Sequence, residues 1–397
     1  MGRHGIKVVL GLGGWDDSAS DKYSRLVNNP SARRTFVVHA VDFIEQYGFD
    51  GLDLDWEYPK CWQVECEKGP YSDKQGFADL VKELHEAFSK RGLLLSAAVS
   101  ASKRAIDYAY DIPSLAENLD WIALMTYDYH GQWDKKTGRV APMYVNDKDA
   151  DKTLNVNFTV SYWINKGAAP EKLVLGVPFY GQSFSLVEGA GTGLDTPTYA
   201  GGEAGDETRA RGFLSFYEIC ERVRVKGWRV HRDPGGGMGP YATAGDQWVS
   251  LDDDLMARHK AEYVRALGLG GVMAWALDLD DFTARYCGCG PFPLLVNINH
   301  VLRDKPAPPP CSLKEIQAPT TTEFAETPSI SVIIEPEYKP GYPETEISMK
   351  EETGRTLDGK PCSGVMFRAD DHDCSKYYMC INDQYMELLC PAPLVWN

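Results

Sequence analysis

No apolar run in this 397-residue chain is long enough to cross a membrane; the longest, Leu93 to Val99, falls far short of the roughly 18 residues a spanning helix needs. Basic runs are missing too. Lys and Arg number 41 against 57 Asp and Glu, a net charge of -16, which argues against nucleic acid or an anionic membrane surface and favours a neutral or cationic ligand. There is no Cys-x-x-Cys and no His-Glu-x-x-His, and the histidines are scattered, so no metal site and no cofactor is expected. Gly11-Leu12-Gly13-Gly14 has neither a following Gly-Lys-Ser/Thr nor Rossmann spacing, which excludes nucleotide binding, and no nucleophile elbow supports Ser-His-Asp chemistry. The opening MGRHGIKVVLGLGG lacks the apolar core and cleavage site of a signal peptide, and Ile6 stands where myristoylation requires Ser or Thr.

Cysteine is plentiful and clustered: Cys61 and Cys66; Cys220; Cys287, Cys289 and Cys311; then Cys362, Cys374, Cys380 and Cys390. Such spacing is that of disulfides, which persist in an oxidising compartment. An oxidised chain without a leader predicts that the natural N-terminus lies upstream of Met1.

Short apolar runs bounded by Gly, acid or Pro recur at Ile6 to Leu12, Gly48 to Leu54, Leu93 to Val99, Trp121 to Tyr127, Leu173 to Pro178 and Gly270 to Leu277. Helical-period segments separate them, at Ser31 to Tyr47, Lys74 to Lys90, Thr153 to Lys166 and Asp252 to Leu267. This alternation predicts an α/β fold with a parallel sheet, an eight-stranded β/α barrel first and a doubly wound open sheet second. Residues 184 to 250, rich in Gly and Tyr, are too many for an ordinary barrel connection and predict an inserted α+β subdomain. From 304 to 356 the composition turns to Pro, Thr and Glu, that of a linker. The tail from 357 to 397 is small and needs disulfides to hold it.

The segment FDGLDLDWEYP at 49 to 59 places Asp53, Asp55 and Glu57 at every second position, so three acids share one strand face about 6.6 to 7 Å apart. Leu52, Leu54 and Trp56 take the opposite face, which would pack against a covering helix, leaving the acids to line the interior. Glu57 closes the strand, and the C-terminal strand ends form the mouth of a β/α barrel. Crowding by Asp55 should raise one carboxyl pKa and keep a proton available near neutral pH, the requirement for a general acid. The competing reading is a solvated strand face after an Asp50-Gly51 turn. In WIALMTYDYHG, Met125 and Tyr127 share a face and Asp128 follows; aromatic ring and acid at a strand end suit a sugar, though a core Tyr and a capping Asp fit as well. Trp15, Tyr180 and Trp275 each follow or end a strand, and three aromatics so placed read as a binding platform.

DGLDLDWE at 50 to 57 matches the DGxDxDxE signature of glycoside hydrolase family 18, and the chain resembles an arthropod chitinase of that family across residues 5 to 303, within an expected catalytic domain of residues 1 to 303. GLGGW at 11 to 15, MTYD at 125 to 128, Tyr180 and Trp275 follow in the family's order. The resemblance implies an endo-acting, retaining hydrolase of β-1,4-linked N-acetylglucosamine that uses the substrate's acetamido group as nucleophile. It implies Glu57 as proton donor, Asp55 holding the acetamido N–H, Asp53 tuning Asp55, and Tyr127 on the acetamido carbonyl. Further sugar contacts would be Gly13, Gly14, Trp15, Asp16, Tyr58, Met125, Thr126, Asp128, Trp133 and Tyr180, with Trp275 as the floor. It also implies Cys220-Cys287 as a family disulfide, and we expect Cys61-Cys66 as a second. Gly11 replaces the family's usual Ser, and Gln182 stands where many relatives have Arg.

The tail resembles a peritrophin-A type chitin-binding module with four of its expected six cysteines. Ile6 to Leu12 resembles the family's third barrel strand, so the expected fold is a (β/α)8 TIM barrel lacking its first two strands. The expected partners are chitin and chitooligosaccharides, in an extracellular or extracellular-matrix setting, as part of a longer secreted or membrane-tethered protein. A non-catalytic chitin-binding fragment is the alternative, and a relative acting on N-glycans or peptidoglycan the third reading.

Overall fold

The computed structural model describes residues 5–146, 149–233, 237–309, 311 and 313, and the backbone of 367–369, 376–381 and 384–389. Two compact units divide at 334/335.

The first unit begins with β1 (Val9–Gly13), which starts three residues later than the apolar run because Ile6 is 68% exposed and joins no ladder. There follow α1 (Lys22–Val27), α2 (Pro30–Tyr47), β2 (Gly51–Asp55), α3 (Ser72–Phe88), β3 (Leu94–Ser100), α4 (Lys103–Ala109), α5 (Ile112–Asn118), β4 (Trp121–Met125), α6 (Val156–Asn165) and β5 (Leu173–Pro178). Helix boundaries are written locally. Asn29 accepts from the first-turn amides of α2, Pro30 fills a position whose amide needs no partner, and Gly48 closes the helix with a positive φ of 71°. In α3 the apolar residues Phe77, Leu80, Val81, Leu84 and Phe88 recur at helical spacing, and all five are buried. They form one cluster with Leu52, Leu54 and Trp56 of the second strand segment. A pattern of this kind is worth roughly 1.5 to 3 kcal/mol per fully buried large apolar side chain, so the hydrophobic face of β2 has one stable orientation. The acids are thereby turned to the other side.

After β5 come β6 (Tyr180–Leu186), β7 (Thr198–Gly201), β8 (Phe213–Ser215), α7 (Phe216–Arg224), β9 (Arg229–His231), β10 (Tyr241–Ala244) and β11 (Gln247–Leu251). They build an antiparallel sheet in the order β7-β6-β11-β10-β9, with β8 paired to β6. This sheet reaches back to Tyr180, so the LGVPFYGQSF segment supplies both the rim of β5 and the first strand of the insertion. Ser215 and Glu218 cap α7 reciprocally. The chain then returns through α8 (Asp254–Leu267), β12 (Gly271–Trp275) and α9 (Pro293–Leu302).

The main sheet is parallel throughout, in the order β1-β2-β3-β4-β5-β12. Six strands of a β/α barrel thus form a curled sheet with β1 and β12 as its edges. Those edge strands are only partly buried, whereas β5 is buried along almost its whole length. Because all six run the same way, Gly13, Asp55, Ser100, Met125, Pro178 and Trp275 end on one rim.

Disulfides join Cys61 to Cys66, Cys220 to Cys287 and Cys289 to Cys311. The third pair, together with the bond from the Cys311 amide to Asp254 (3.0 Å) and the burial of Leu313, ties residues 311 and 313 to the first unit. Residue 311, within the stretch expected as a linker, is thus held by a covalent bond to Cys289. Residues 314 to 356 lie outside the described residues. The second unit contains an antiparallel sheet of β13 (Phe367–Ala369), β14 (Lys376–Ile381) and β15 (Gln384–Leu389). Cys362, Cys374 and Cys390 lie outside the described residues. Among the described residues no helix is long and apolar enough to cross a membrane.

Insertion and barrel are joined by a buried ion pair. Lys260 of α8, wholly buried, reaches Asp252 at the end of the insertion and the Ala141 carbonyl of the loop after β4 (2.9 Å). Removing one partner strands a charge. Lys260→Met should cost about 3 to 5 kcal/mol, and replacing Asp252 by Leu as well should restore much of the loss; thermal unfolding of the two variants checks both.

Candidate active site

Glu57 lies beyond the ladder. The last residue of β2 with a partner on β1 is Asp55, opposite Gly13, and the pairing with β3 ends at Leu54. Gly13 is required where it stands, since with φ at 121° an added Cβ would sit 2.1 Å from the Asp55 carbonyl oxygen. The next amide, of Gly14, donates to that same carbonyl at 2.7 Å. These two glycines act on the site through backbone packing against the acidic strand β2.

Asp53, Asp55 and Glu57 face away from the packed side of β2, each partly buried. Asp53 accepts a hydrogen bond from the hydroxyl of Ser96, on β3. Asp55 Oδ1 is buried without a hydrogen-bond partner. An orphaned buried acceptor is rare and points to a missing donor. All three carboxyl pKa values are raised, first by desolvation; Asp53 pushes Asp55 further, and Asp55 does the same to Glu57. Glu57 is pushed up to about 8, with smaller contributions from Asp128 and Asp16 and a hydrogen bond with Tyr58 acting against them. The site therefore holds a proton on Glu57 at neutral pH.

Tyr127 stands among these acids: Asp128, Asp55, Glu57 and Asp53 all act on its hydroxyl, which lies 3.7 Å from Met273 Sδ. Its ring meets that of Tyr180 edge-on at 6.0 Å, and Tyr180 stacks on Phe213 of the insertion at 4.8 Å. Gln182 of β6 donates to Asp128 at 2.8 Å. Desolvation raises the pKa of Asp128, with hydrogen bonds from Gln182 and Tyr180 opposing the rise. The insertion thus supplies part of the wall.

Three indole rings remain open: Trp15 after β1 (47% exposed), Trp133 in the loop after β4 (52%) and Trp275 at the end of β12 (51%). Asp16, also exposed, lies near enough to raise Glu57. Tyr58, Met125 and Tyr180 are buried. Thr126 is fully buried and gives its hydroxyl to the Gly176 carbonyl at 2.7 Å, so its side chain ties β4 to β5 and presents nothing to a ligand. Sequence reasoning passed over Ser96, although a lone polar residue inside the apolar run Leu93 to Val99 was a signal. It also passed over Ser18 and Gln63, which bond the backbone of Glu57 and carry no sequence signal of their own.

The sequence matches the model of glycosyl hydrolases family 18 over residues 2–280. This chain belongs to that family. Residues 362–397 match the chitin-binding peritrophin-A domain. The chain is 51% identical to "Probable chitinase 10" of Drosophila melanogaster over all of its own length, and it spans 17% of that protein. Its structure superposes on catalytic domain 2 of the Ostrinia furnacalis group II chitinase with a TM-score of 0.78 and 82% identity, covering 79% of this chain and 82% of that one. A mutant of that domain solved with penta-N-acetylchitooctaose matches equally well, with the same TM-score, identity and coverage.

Raised carboxyl values have a price in stability. Between the ordinary Glu value of 4.5 and about 8 the unfolded chain gives up a proton that folded Glu57 keeps, so folding weakens as pH rises through that window. Glu57→Gln should therefore melt higher than wild type, with a gap that widens from pH 5 to pH 8; calorimetry at both values checks it.

Proposed function

We propose that this chain is a chitinase that cleaves β-1,4-linked N-acetylglucosamine polymers within the chain, with retention of anomeric configuration and Glu57 as proton donor. The observation that carries the reading is the pair formed by a protonated Glu57 and the unpartnered Asp55 Oδ1 on one strand face. A general acid needs a proton at working pH. An acetamido N–H supplies the donor that Asp55 lacks.

In this mechanism Glu57 gives its proton to the glycosidic oxygen as the bond to C1 breaks. The acetamido carbonyl oxygen of the same sugar attacks C1 from the opposite face, while Asp55 accepts the acetamido N–H and stabilises the positive charge that develops on the group. Asp53, held by Ser96, keeps negative charge behind Asp55. Tyr127 is placed to donate to the acetamido oxygen. The Glu57 carboxylate then takes a proton from water, which attacks C1 from the side the leaving group vacated as the bond from C1 to the acetamido oxygen breaks and the acetamido group is restored, so two inversions give retention. Trp15, Trp133 and Trp275 offer rings to the apolar faces of successive sugars.

The partners proposed are chitin and its oligosaccharides, with the tail module supplying a second contact to the polymer. Three disulfides in the first unit support an extracellular setting.

Incubation with a chitin pentamer and with insoluble chitin, followed by chromatography and early proton NMR of products, tests the reading. Wild type should release short oligosaccharides with the β-anomer first, and activity should fall as pH rises through about 8 as Glu57 loses its proton. Glu57→Gln should lose at least about a thousandfold in kcat while still binding the pentamer. Binding without turnover by wild type would leave a chitin-binding protein, and turnover of N-glycan or peptidoglycan alone would change the substrate.

A further inference from the structure

Both backbone polar groups of Glu57 are satisfied from outside the sheet. Beyond the end of β2 no neighbouring strand can take them, and a buried amide or carbonyl left unpaired is costly. The Glu57 amide donates to Ser18 Oγ at 2.9 Å, and the Glu57 carbonyl accepts from the Gln63 amide at 2.7 Å. These two partners belong to different segments: Ser18 to the turn after β1, Gln63 to the loop after β2. A third bond ties the segments together, because Gln63 Nε2 donates to the Trp15 carbonyl at 3.1 Å. The Ser18 amide in turn donates to the carbonyls of Gly14 (3.0 Å) and Trp15 (3.2 Å), closing a ring that runs Glu57, Ser18, Trp15, Gln63 and back to Glu57.

The two halves of this ring are not equally stiff. The loop after β2 is braced by the Cys61-Cys66 bond and by Asp73, which accepts from the Lys60 amide at 3.2 Å and from Trp62 Nε1 at 3.1 Å. In the turn after β1, Ser18 is a fully buried point of attachment, with its hydroxyl directed at the Glu57 backbone. Trp15, three residues earlier on that turn, is one of the exposed rings.

We infer that Ser18 is a positioning residue for the proton donor: through its hydroxyl it fixes the Glu57 backbone to the turn that carries Trp15, so that a sugar seated on Trp15 and the acid that protonates the glycosidic oxygen are held in one frame. The inference rests on the chitinase reading. Ser18 touches neither substrate nor the Glu57 carboxyl. Loss of its hydroxyl frees the Glu57 amide and lets the carboxyl drift from the glycosidic oxygen. A displacement of about 1 Å can cost on the order of a hundredfold in rate.

Steady-state hydrolysis of a chitin pentamer by full-length chains tests this, with wild-type turnover as the control on the reading itself. Ser18→Ala should lower kcat about ten- to a hundredfold with KM changed less than about twofold, and move the alkaline limb of the pH profile, since the acid's surroundings change with its position. Ser18→Thr, which keeps the hydroxyl, should recover most of kcat. Should Ser18→Ala fail to fold, Gln63→Ala breaks only the tie to Trp15 at a half-buried position and should lower kcat about threefold with the pH limb unmoved. Wild-type kcat and pH limb in a folded Ser18→Ala, or wild-type kcat in Gln63→Ala where only that variant folds, would overturn the inference. A lower melting temperature alone, with kcat intact, would make Ser18 merely structural and overturn it equally. Inactive wild type would instead defeat the chitinase reading.

Discussion

Everything at the site depends on holding three carboxyl groups on one strand face out of bulk water without a cation to neutralise them. Desolvation heads the causes for Asp53, Asp55 and Glu57, the like charges add to it, and no Lys or Arg contributes to any of the three shifts. Such an arrangement opposes folding, so it persists only because the other face of the same strand is over-determined. Leu52, Leu54 and Trp56 are each less than 5% exposed, and Trp56 meets Phe77 edge-on at 6.1 Å and Tyr23 at 5.7 Å. A register slip by one residue would bury the acids and expose these three side chains. The hydrophobic face of β2 is thus what aims the chemistry.

That constraint was legible early because it is local. Alternation of period two over DGLDLDWE states which residues go in and which go out, and the flanking periods of α2, α3, α6 and α8 are visible as apolar spacing within the chain itself. The same compact segment lies within the match to glycosyl hydrolases family 18, which extends over residues 2–280. The parts that stayed hidden involve partners far apart in sequence. Ser18 meets Glu57 across 39 positions, Ser96 meets Asp53 across 43, and Gln182 meets Asp128 across 54. No pattern within a window reports such contacts; they exist only once the sheet order has brought strand ends together. The pairing of Cys289 with Cys311 was hidden for a different reason, since composition alone marks the segment after 304 as unable to fold, and a disulfide does not need it to.

Thr126 shows the opposite error of inference. It sits beside Tyr127 in MTYD, the residue that does meet the acids, and proximity in a motif reads as a shared role. β4 ends at Met125, however, and beyond it the Thr126 side chain turns back into the sheet. Its hydroxyl bonds Gly176 on β5, and its buried side chain serves the sheet that carries Tyr127.

The insertion and the edge strands complete the argument about rigidity. β1 pairs with β2 from Val9 to Gly13. It is partly exposed along its length. The turn it leads into nevertheless carries Trp15, Asp16 and Ser18. At the far edge, β12 ends in Trp275 and is paired with β5 alone, but there the Phe179 amide bonds the Trp275 carbonyl at 2.8 Å and the Phe179 carbonyl takes the Phe216 amide at 2.9 Å. That edge is therefore locked to the insertion through α7. At the β1 side the turn is anchored on the end of β2: Ser18 Oγ accepts from the Glu57 amide at 2.9 Å and the Gly14 amide donates to the Asp55 carbonyl at 2.7 Å. Order flows from the catalytic strand outward to its neighbour as much as the reverse, which makes the acid's own amide a structural element of the cleft.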